Sequence, residues 1–167
     1  MGEDVRAAHR RAPDLDGRGM RVAVVCGRFN DHVTTRLLDG VTRGLAATGV
    51  PAGDVEVVWV PGAFEIPLAA KAFAESGRVD AVIGVGCVIR GETSHYETVA
   101  GECAAGIQRA QLATGVPIVF GVLTTEDLDQ ALARSEDAGG HNVGEEGAAT
   151  AVEMVALLRR IRGDGGS

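Results

Sequence analysis

The chain has 167 residues, of which 46% are hydrophobic, and it carries a formal net charge of −7. This length and this apolar content predict one well-packed domain and exclude a disordered chain. The net negative charge argues against binding to nucleic acid or to an anionic membrane. A bound phosphate would therefore have to be held by a few nearby groups rather than by the overall charge.

The hydrophobic pattern alternates between short β-branched runs and longer amphipathic runs, which predicts strands that alternate with helices. The first strand is predicted at residues 21–26. Val33, Leu37 and Val41 then mark one face of a helix. The later elements follow the same alternation, with strands at 55–60, 81–86 and 116–123, and helices at 66–76, 95–114, 128–135 and 146–162.

Such an alternation requires right-handed crossovers and an open parallel sheet. It predicts a three-layer α/β/α sandwich around a four-stranded parallel sheet. No internal repeat or linker to a second domain is found. We therefore expect a single domain at residues 20–162, a flexible N-terminal arm at residues 1–19 and a short C-terminal tail at residues 163–167.

A polar loop that carries a histidine follows the third predicted strand. Residues 80–86 are almost wholly apolar, as expected of a parallel strand covered on both faces. His95 begins the next helix, and Gly91, Glu92 and Thr93 lie just before it. Backbone N–H groups at a helix start lack an intrahelical partner and favour an anion. The loop is therefore a candidate phosphate site with a proton-transfer residue beside it.

Further polar and aromatic residues follow the other predicted strands. Phe29 and Asn30 follow the first strand, residues 62–65 the second and residues 124–127 the fourth. All of them lie at the carboxyl ends of strands, where ligands bind in open α/β sheets.

The sequence predicts no cofactor and no export. The turn after the first strand lacks the G-x-G-x-x-G fingerprint of dinucleotide sites. The three cysteines lack C-x-x-C spacing, which favours reduced thiols in a cytoplasmic protein over a disulfide framework or a zinc site. No apolar run approaches membrane-spanning length, and the first twenty residues lack the apolar core of a signal peptide.

Four short motifs occur in register along the chain: GRFND at residues 27–31, VPGAFEIP at 60–67, GCVIRGETSH at 86–95 and FGVLTTE at 120–126. In order and spacing they resemble the 6,7-dimethyl-8-ribityllumazine synthase family. The resemblance implies a flavodoxin-like fold and assembly into pentamers, some of which form larger hollow shells. It also implies a metal-free condensation of 5-amino-6-(ribitylamino)uracil with 3,4-dihydroxy-2-butanone 4-phosphate, with release of phosphate and water.

The same resemblance implies a role for each site residue. His95 would be the general acid/base, and Phe29 would stack on the pyrimidine. Glu92, Thr93 and Arg134 would hold the phosphate, with Arg134 reaching a neighbouring subunit's site. The remaining ligands would form the walls around the ring and the ribityl chain, with Glu65 accepting ribityl hydrogen bonds and Phe120 closing the pocket from an adjacent subunit; they are Ala63, Phe64, Glu65, Cys87, Val88, Ile89 and Phe120.

Each of the polar or aromatic assignments has a simpler alternative. Phe29 could belong to the core, and Glu65 could cap the helix that follows it. Arg134 could pair on the surface with the acidic residues at positions 136 and 137. The nearby backbone could satisfy His95. Cys87, which has no base near it in the sequence, is expected to be a wall residue rather than a nucleophile.

One position departs from the family pattern. The family usually has Asn-Lys-Gly before the last helix, with its lysine near the phosphate, whereas this chain has Val143 between Asn142 and Gly144. Loss of that cation could weaken phosphate binding by about 1 to 3 kcal/mol if the lysine formed a charge-assisted hydrogen bond. The alternative to the synthase is therefore a non-catalytic paralogue that binds flavin or lumazine or forms a shell.

Overall fold

A computed structural model describes residues 12–163, in which strands and helices alternate as predicted. The strands are β1 (Val22–Gly27), β2 (Val55–Val60), β3 (Ala81–Ile89) and β4 (Ile118–Thr125). The helices are α1 (Asp31–Ala47), α2 (Ile66–Glu75), α3 (His95–Thr114), α4 (Leu128–Leu132) and α5 (Val143–Arg162).

The four strands form one parallel sheet in the order β2-β1-β3-β4. Helices α1 and α5 pack on one face of the sheet, and helices α2 and α3 pack on the other. The predicted three-layer α/β/α sandwich of the flavodoxin-like type is therefore confirmed. Parallel strands need such crossover helices because their connections must return to the same end of the sheet.

The central strand β1 shows how the sequence builds both layers at once. All six of its residues are buried. Val22, Val24 and Cys26 pack in the cluster with α1 and α5, whereas Ala23 and Val25 pack in the cluster with α2 and α3. Side chains alternate between the two faces of a strand, so a strand covered on both sides must be apolar throughout.

Strand β3 is longer than predicted, and this difference shapes the site. It continues through Cys87 and Val88 to Ile89, and these three residues pair with β4. Glycines interrupt the apolar pattern, but here they permit close packing rather than end the strand. A Cβ added at Gly84 would lie 2.8 Å from Cγ2 of Ile66, the first residue of α2.

Two helix boundaries also differ from the prediction. Helix α4 ends at Leu132, and α5 begins at Val143, where the buried Asn142 side chain caps it. The Asn142 Oδ1 atom accepts the Glu145 N–H at 3.2 Å, and Nδ2 donates to the Arg36 carbonyl at 3.0 Å. The helix therefore starts at a side-chain cap, a signal that hydrophobic spacing does not carry.

The predicted terminal segments fall partly outside the described residues, because residues 1–11 and 164–167 are not among them. Within the predicted arm, Gly17 is buried and its N–H donates to the Thr48 carbonyl at 2.6 Å. At the other end, Gly163 follows α5 with a left-handed φ of 77°. The flexibility of the arm stays a prediction. Within residues 12–163, no helix combines the length and the apolar composition that a membrane span requires.

Helices α1 and α5 approach closely at Gly44. A Cβ added there would lie 2.7 Å from Ala148 Cβ and 2.9 Å from the Glu145 carbonyl oxygen. The space for a side chain is already filled by the facing helix, so the pair packs closely only because this position has none.

We expect Gly44→Ala to lower the free energy of unfolding by about 1 to 3 kcal/mol, because overpacking outweighs the gain in helix propensity of about 1 kcal/mol. The matched control is Gly101→Ala in α3, where an added Cβ meets no atom within 4 Å. That variant should be neutral or slightly stabilised. Denaturant unfolding of both variants gives the comparison, and equal stabilities would contradict the close approach of α1 and α5.

Candidate active site

A cavity of about 660 Å³ opens at the carboxyl ends of β1, β2 and β3. Most of the predicted site residues line it, and they come from three separate loops and from the end of β3. These residues are Phe29, Ala63, Phe64, Glu65, Cys87, Val88, Ile89, Thr93 and His95. The structure therefore gathers in one place residues that are far apart in the sequence.

The aromatic wall of the cavity begins at Phe29. The Arg28 N–H donates to the Val60 carbonyl at 2.8 Å, and the Phe29 N–H donates to the Pro61 carbonyl at 3.1 Å. These two bonds tie the chain that leaves β1 to the end of β2. The Phe29 side chain is 73% exposed, so the alternative that it belongs to the core is wrong.

Asn30 turns the chain from β1 into α1. It adopts a left-handed φ of 61°, which asparagine tolerates better than most residues. Its Nδ2 atom donates to the Cys87 carbonyl at 3.0 Å. This bond joins the carboxyl ends of β1 and β3 and holds Phe29 and β3 at a defined separation across the cavity.

The part of β3 beyond Val85 has a free backbone edge. Strand β1 pairs with β3 only as far as Val85, whereas β4 pairs with β3 up to Ile89. Apart from the Asn30 bond to Cys87, the β1-facing backbone groups of residues 86–89 have no partner in the sheet. Buried backbone groups require hydrogen bonds, so this edge is suited to a ligand that offers donors and acceptors in one plane.

Cys87 lies in the cavity wall and is only 3% exposed. Burial raises the pKa of its thiol to about 11. The same effect raises the pKa of Cys26 and of Cys103 to about 12. Since the thiolate is the nucleophilic form, this burial disfavours Cys87 as a nucleophile, and its place in the cavity lining fits a wall residue.

Glu65 stands at the entrance to α2. A short 3₁₀ turn, Ala63–Glu65, brings Phe64 and Glu65 to the cavity, and both side chains are exposed. Glu65 occupies the N-cap position of α2, but its side chain makes no capping hydrogen bond. The capping alternative is therefore wrong, and the carboxylate remains available to a polar ligand.

His95 is the first residue of α3 and is exposed at the cavity. Its backbone N–H donates to Thr93 Oγ1 at 3.3 Å. Its imidazole ring makes no hydrogen bond to any residue between 12 and 163, so nearby backbone does not satisfy this side chain. An unengaged imidazole at the edge of a cavity can exchange a proton with a ligand.

The first turn of α3 contributes wall residues that the motif comparison did not include. Tyr96, Thr98 and Val99 line the cavity together with His95. Thr98 and Val99 lie three and four positions after His95, so they share its helix face. That spacing is the signal by which the sequence could have identified them.

Three predicted site residues do not reach the cavity of their own chain. Glu92 is exposed on the loop before α3. Phe120 lies on the outer strand β4 with 39% of its side chain exposed. Arg134 is exposed beyond the end of α4. The fold therefore separates Phe120 and Arg134 from the other predicted ligands within one chain, whereas Glu92 adjoins Thr93 in the loop at the cavity.

Arg134 is held by its own helix. Its Nη1 atom donates to the Gln130 carbonyl at 2.9 Å. Glu136 instead accepts the His141 N–H through Oε2 at 2.8 Å, and Arg134 forms no ion pair with Glu136 or Asp137, so the surface-pair alternative is wrong. Among residues 12–163, no acidic side chain lies within ion-pair distance of the remaining guanidinium donors of Arg134, which are therefore open to an anion.

The residues around Val143 show what replaces the family's lysine. Val143 begins α5 and is half-buried, and it does not line the cavity. The nearby His141 is paired through Nε2 with Glu146 Oε1 at 3.0 Å. Neither residue therefore supplies a free cation at this position. Within the described range, no group of three or more His, Cys, Asp or Glu side chains is arranged to hold a metal ion.

A comparison with known families adds to this geometry. The model of the family described as 6,7-dimethyl-8-ribityllumazine synthase matches the chain over residues 19–159. The matched region contains all four strands and every predicted site residue. The resemblance indicated by the four motifs is therefore confirmed.

If Phe29 is a stacking platform, Phe29→Ala should weaken the binding of a flat heterocycle such as riboflavin by about 1 to 3 kcal/mol, whereas Phe29→Tyr should retain it. Because the ring is exposed, neither change should lower the thermal stability noticeably. The matched control is the buried Phe73, whose change to Ala should cost about 3 to 5 kcal/mol of stability. Fluorescence titration and thermal unfolding provide the two readouts. Unchanged affinity in Phe29→Ala would rule out the platform.

Proposed function

Because the chain belongs to the 6,7-dimethyl-8-ribityllumazine synthase family, we propose that it is the transferase that makes 6,7-dimethyl-8-ribityllumazine. Its substrates are 5-amino-6-(ribitylamino)uracil and 3,4-dihydroxy-2-butanone 4-phosphate, and phosphate and water are released. The observation that carries this proposal is the single cavity in which the exposed Phe29 ring, the free edge of β3 and the His95 loop meet.

The pyrimidine is bound between Phe29 and β3. A flat π system stacks favourably on an aromatic side chain. The backbone groups of residues 86–89 that lack a sheet partner then meet the polar edge of the ring. Glu65 accepts hydrogen bonds from the ribityl hydroxyls, since its carboxylate is exposed and is not used as a helix cap.

The chemistry consists of bond formation between two aligned substrates with accompanying proton transfers. The pyrimidine amine attacks the ketone and water leaves, the phosphate group is eliminated, and the ring closes with loss of a second water. His95 moves the protons, because imidazole is the side chain best suited to proton exchange near neutral pH. Holding both substrates in one cavity supplies the rest of the rate.

The phosphate lies at the start of α3. Backbone N–H groups of residues 92 and 93 and the Thr93 hydroxyl face an anion there. Arg134, which does not reach its own cavity, completes the grip from a neighbouring copy of the chain. Phe120 closes the pocket in the same way. A site that is incomplete within one chain supports assembly, and we infer a cytoplasmic homopentamer of single-domain subunits that can form larger shells.

The second candidate function is a non-catalytic paralogue that binds flavin or lumazine or forms a shell. Val143, which leaves the phosphate region without the family's lysine, is the observation that favours it. One assay separates the two functions. Purified protein is mixed with both substrates, and lumazine fluorescence is followed against the uncatalysed reaction. Binding of riboflavin without faster lumazine formation would establish the paralogue.

For the synthase, His95→Ala should lower kcat by about 10- to 10⁴-fold and leave the affinity for the pyrimidine nearly unchanged, because the side chain transfers protons rather than binds the ring. His32→Ala is the control, since His32 is exposed and does not line the cavity. Steady-state kinetics measure both variants. Wild-type kcat in His95→Ala would remove His95 from the mechanism.

Arg134→Ala should raise the KM for the phosphorylated butanone much more than the KM for the pyrimidine, because only the former carries the anion. Arg134→Lys should recover part of the loss, since lysine keeps the charge but not the two-pronged guanidinium. Val143→Lys should lower the same KM by restoring a second cation.

Mixing the impaired Arg134→Ala and Phe29→Ala proteins tests the sharing of the site. After dissociation and reassembly, some interfaces combine an intact Phe29 with an intact Arg134, and part of the activity should return. Reassembled wild-type protein is the control. Mixed oligomers without recovered activity would show that both residues come from the same chain.

A further inference from the structure

Arg90 lies between β3 and the loop that carries His95, and it contacts two other parts of the chain, the end of β4 and the first turn of α3. Its N–H donates to the Thr125 carbonyl at 2.8 Å, which extends the pairing with β4 by one residue. Its Nε donates to both carboxylate oxygens of Glu126, at 2.8 and 3.0 Å. Its Nη1 pairs with Glu97, and its guanidinium carbon lies 4.3 Å from the centre of the Tyr96 ring.

The loop at residues 91–94 has little packing of its own. All four residues are exposed. A Cβ added at Gly91 would meet no atom within 4 Å. The Thr93 hydroxyl accepts a single hydrogen bond, from the His95 N–H. The course of this loop therefore depends on how firmly its two ends are held.

Arg90 holds both ends. It precedes the loop, and its bond to Glu97 reaches across seven residues to the first turn of α3. Its stacking on Tyr96 fixes the residue next to His95. Its bond to Glu126 anchors the whole arrangement to the end of β4. The planar guanidinium of arginine can pair with two carboxylates and stack on an aromatic ring at the same time. The ammonium group of lysine cannot make all of these contacts together.

We propose that Arg90 is a positioning residue, which keeps the loop at residues 91–94 in the conformation that presents His95 to the cavity. Arg90 itself does not line the cavity. It acts through the loop and through Tyr96. The kinetic part of this inference rests on the proposed function, but its structural part does not.

The competing explanation is an ordinary surface ion pair, which contributes little to stability. The chain offers an internal comparison in Arg78. That residue pairs with Glu56 at 3.0 Å and lies 5.8 Å from the centre of the Phe73 ring. It precedes β3, at the end of the sheet opposite the cavity. Arg78 therefore has the same types of contact as Arg90 without an active-site loop to hold.

The test compares Arg90→Ala, Arg90→Lys and the matched control Arg78→Ala. Arg90→Ala should lower kcat by about tenfold or more and leave riboflavin affinity within about twofold, since the Phe29 pocket is untouched. Arg90→Lys should recover only part of kcat. The N–H groups of His95 and Thr98 are hydrogen-bonded at the start of α3. Their hydrogen exchange should become about tenfold faster in Arg90→Ala and stay unchanged in Arg78→Ala.

Failure of the proposed role of Arg90 can be distinguished from failure of the proposed synthase activity. If the wild-type protein makes no lumazine above the uncatalysed rate, the proposed function fails, and hydrogen exchange alone decides the role of Arg90. Unchanged exchange at His95 and Thr98 in Arg90→Ala overturns the inference, as does a kcat equal to that of Arg78→Ala in an active enzyme. If Arg90→Ala does not fold, the double variant Glu97→Gln, Glu126→Gln removes both partners and carries the same readouts.

Discussion

The candidate site depends on the unequal lengths of two adjacent parallel strands. β1 ends at Gly27, whereas its neighbour β3 continues to Ile89 with β4 as its only partner beyond Val85. Because β1 does not extend beside the last residues of β3, backbone groups of β3 have no strand partner at one wall of the cavity. The chain that turns out of β1 supplies Phe29 at another wall. A single stagger in the sheet therefore produces the space for a ligand and polar groups to meet it.

Two kinds of contact keep this stagger open. The Asn30 side chain bridges to the Cys87 carbonyl and fixes the distance between the two strand ends. The glycines of β3 let α2 pack closely, since a Cβ at Gly84 would lie 2.8 Å from Ile66. This close packing brings the preceding turn, with Phe64 and Glu65, to the cavity. The geometry of the site is thus a consequence of how the layers pack.

Some features of the fold and the site could be predicted from the sequence, and others could not. The alternation of strands and helices could be predicted because the strands are short β-branched runs, of which β1 and β3 are buried on both faces, and the helices carry an apolar face. The end of β3 was misplaced because a glycine in a strand can mark either a break or a close packing contact, and local sequence does not distinguish them. The exposure of the Phe29 ring and the absence of a capping bond at Glu65 could not be predicted either. Both depend on which residues from other segments of the chain pack beside these side chains.

The sequence by itself determined the order of the elements, the three-layer class and the four motifs that mark the family. These follow from periodicity and from local residue types, which are properties of short segments. Only the tertiary structure decided which motif residues share one cavity, that Phe120 and Arg134 stay outside it, and that Arg90 joins three segments beside the His95 loop. These are relations between residues far apart in the chain, and they are set by the packing of helices on the sheet rather than by any local pattern.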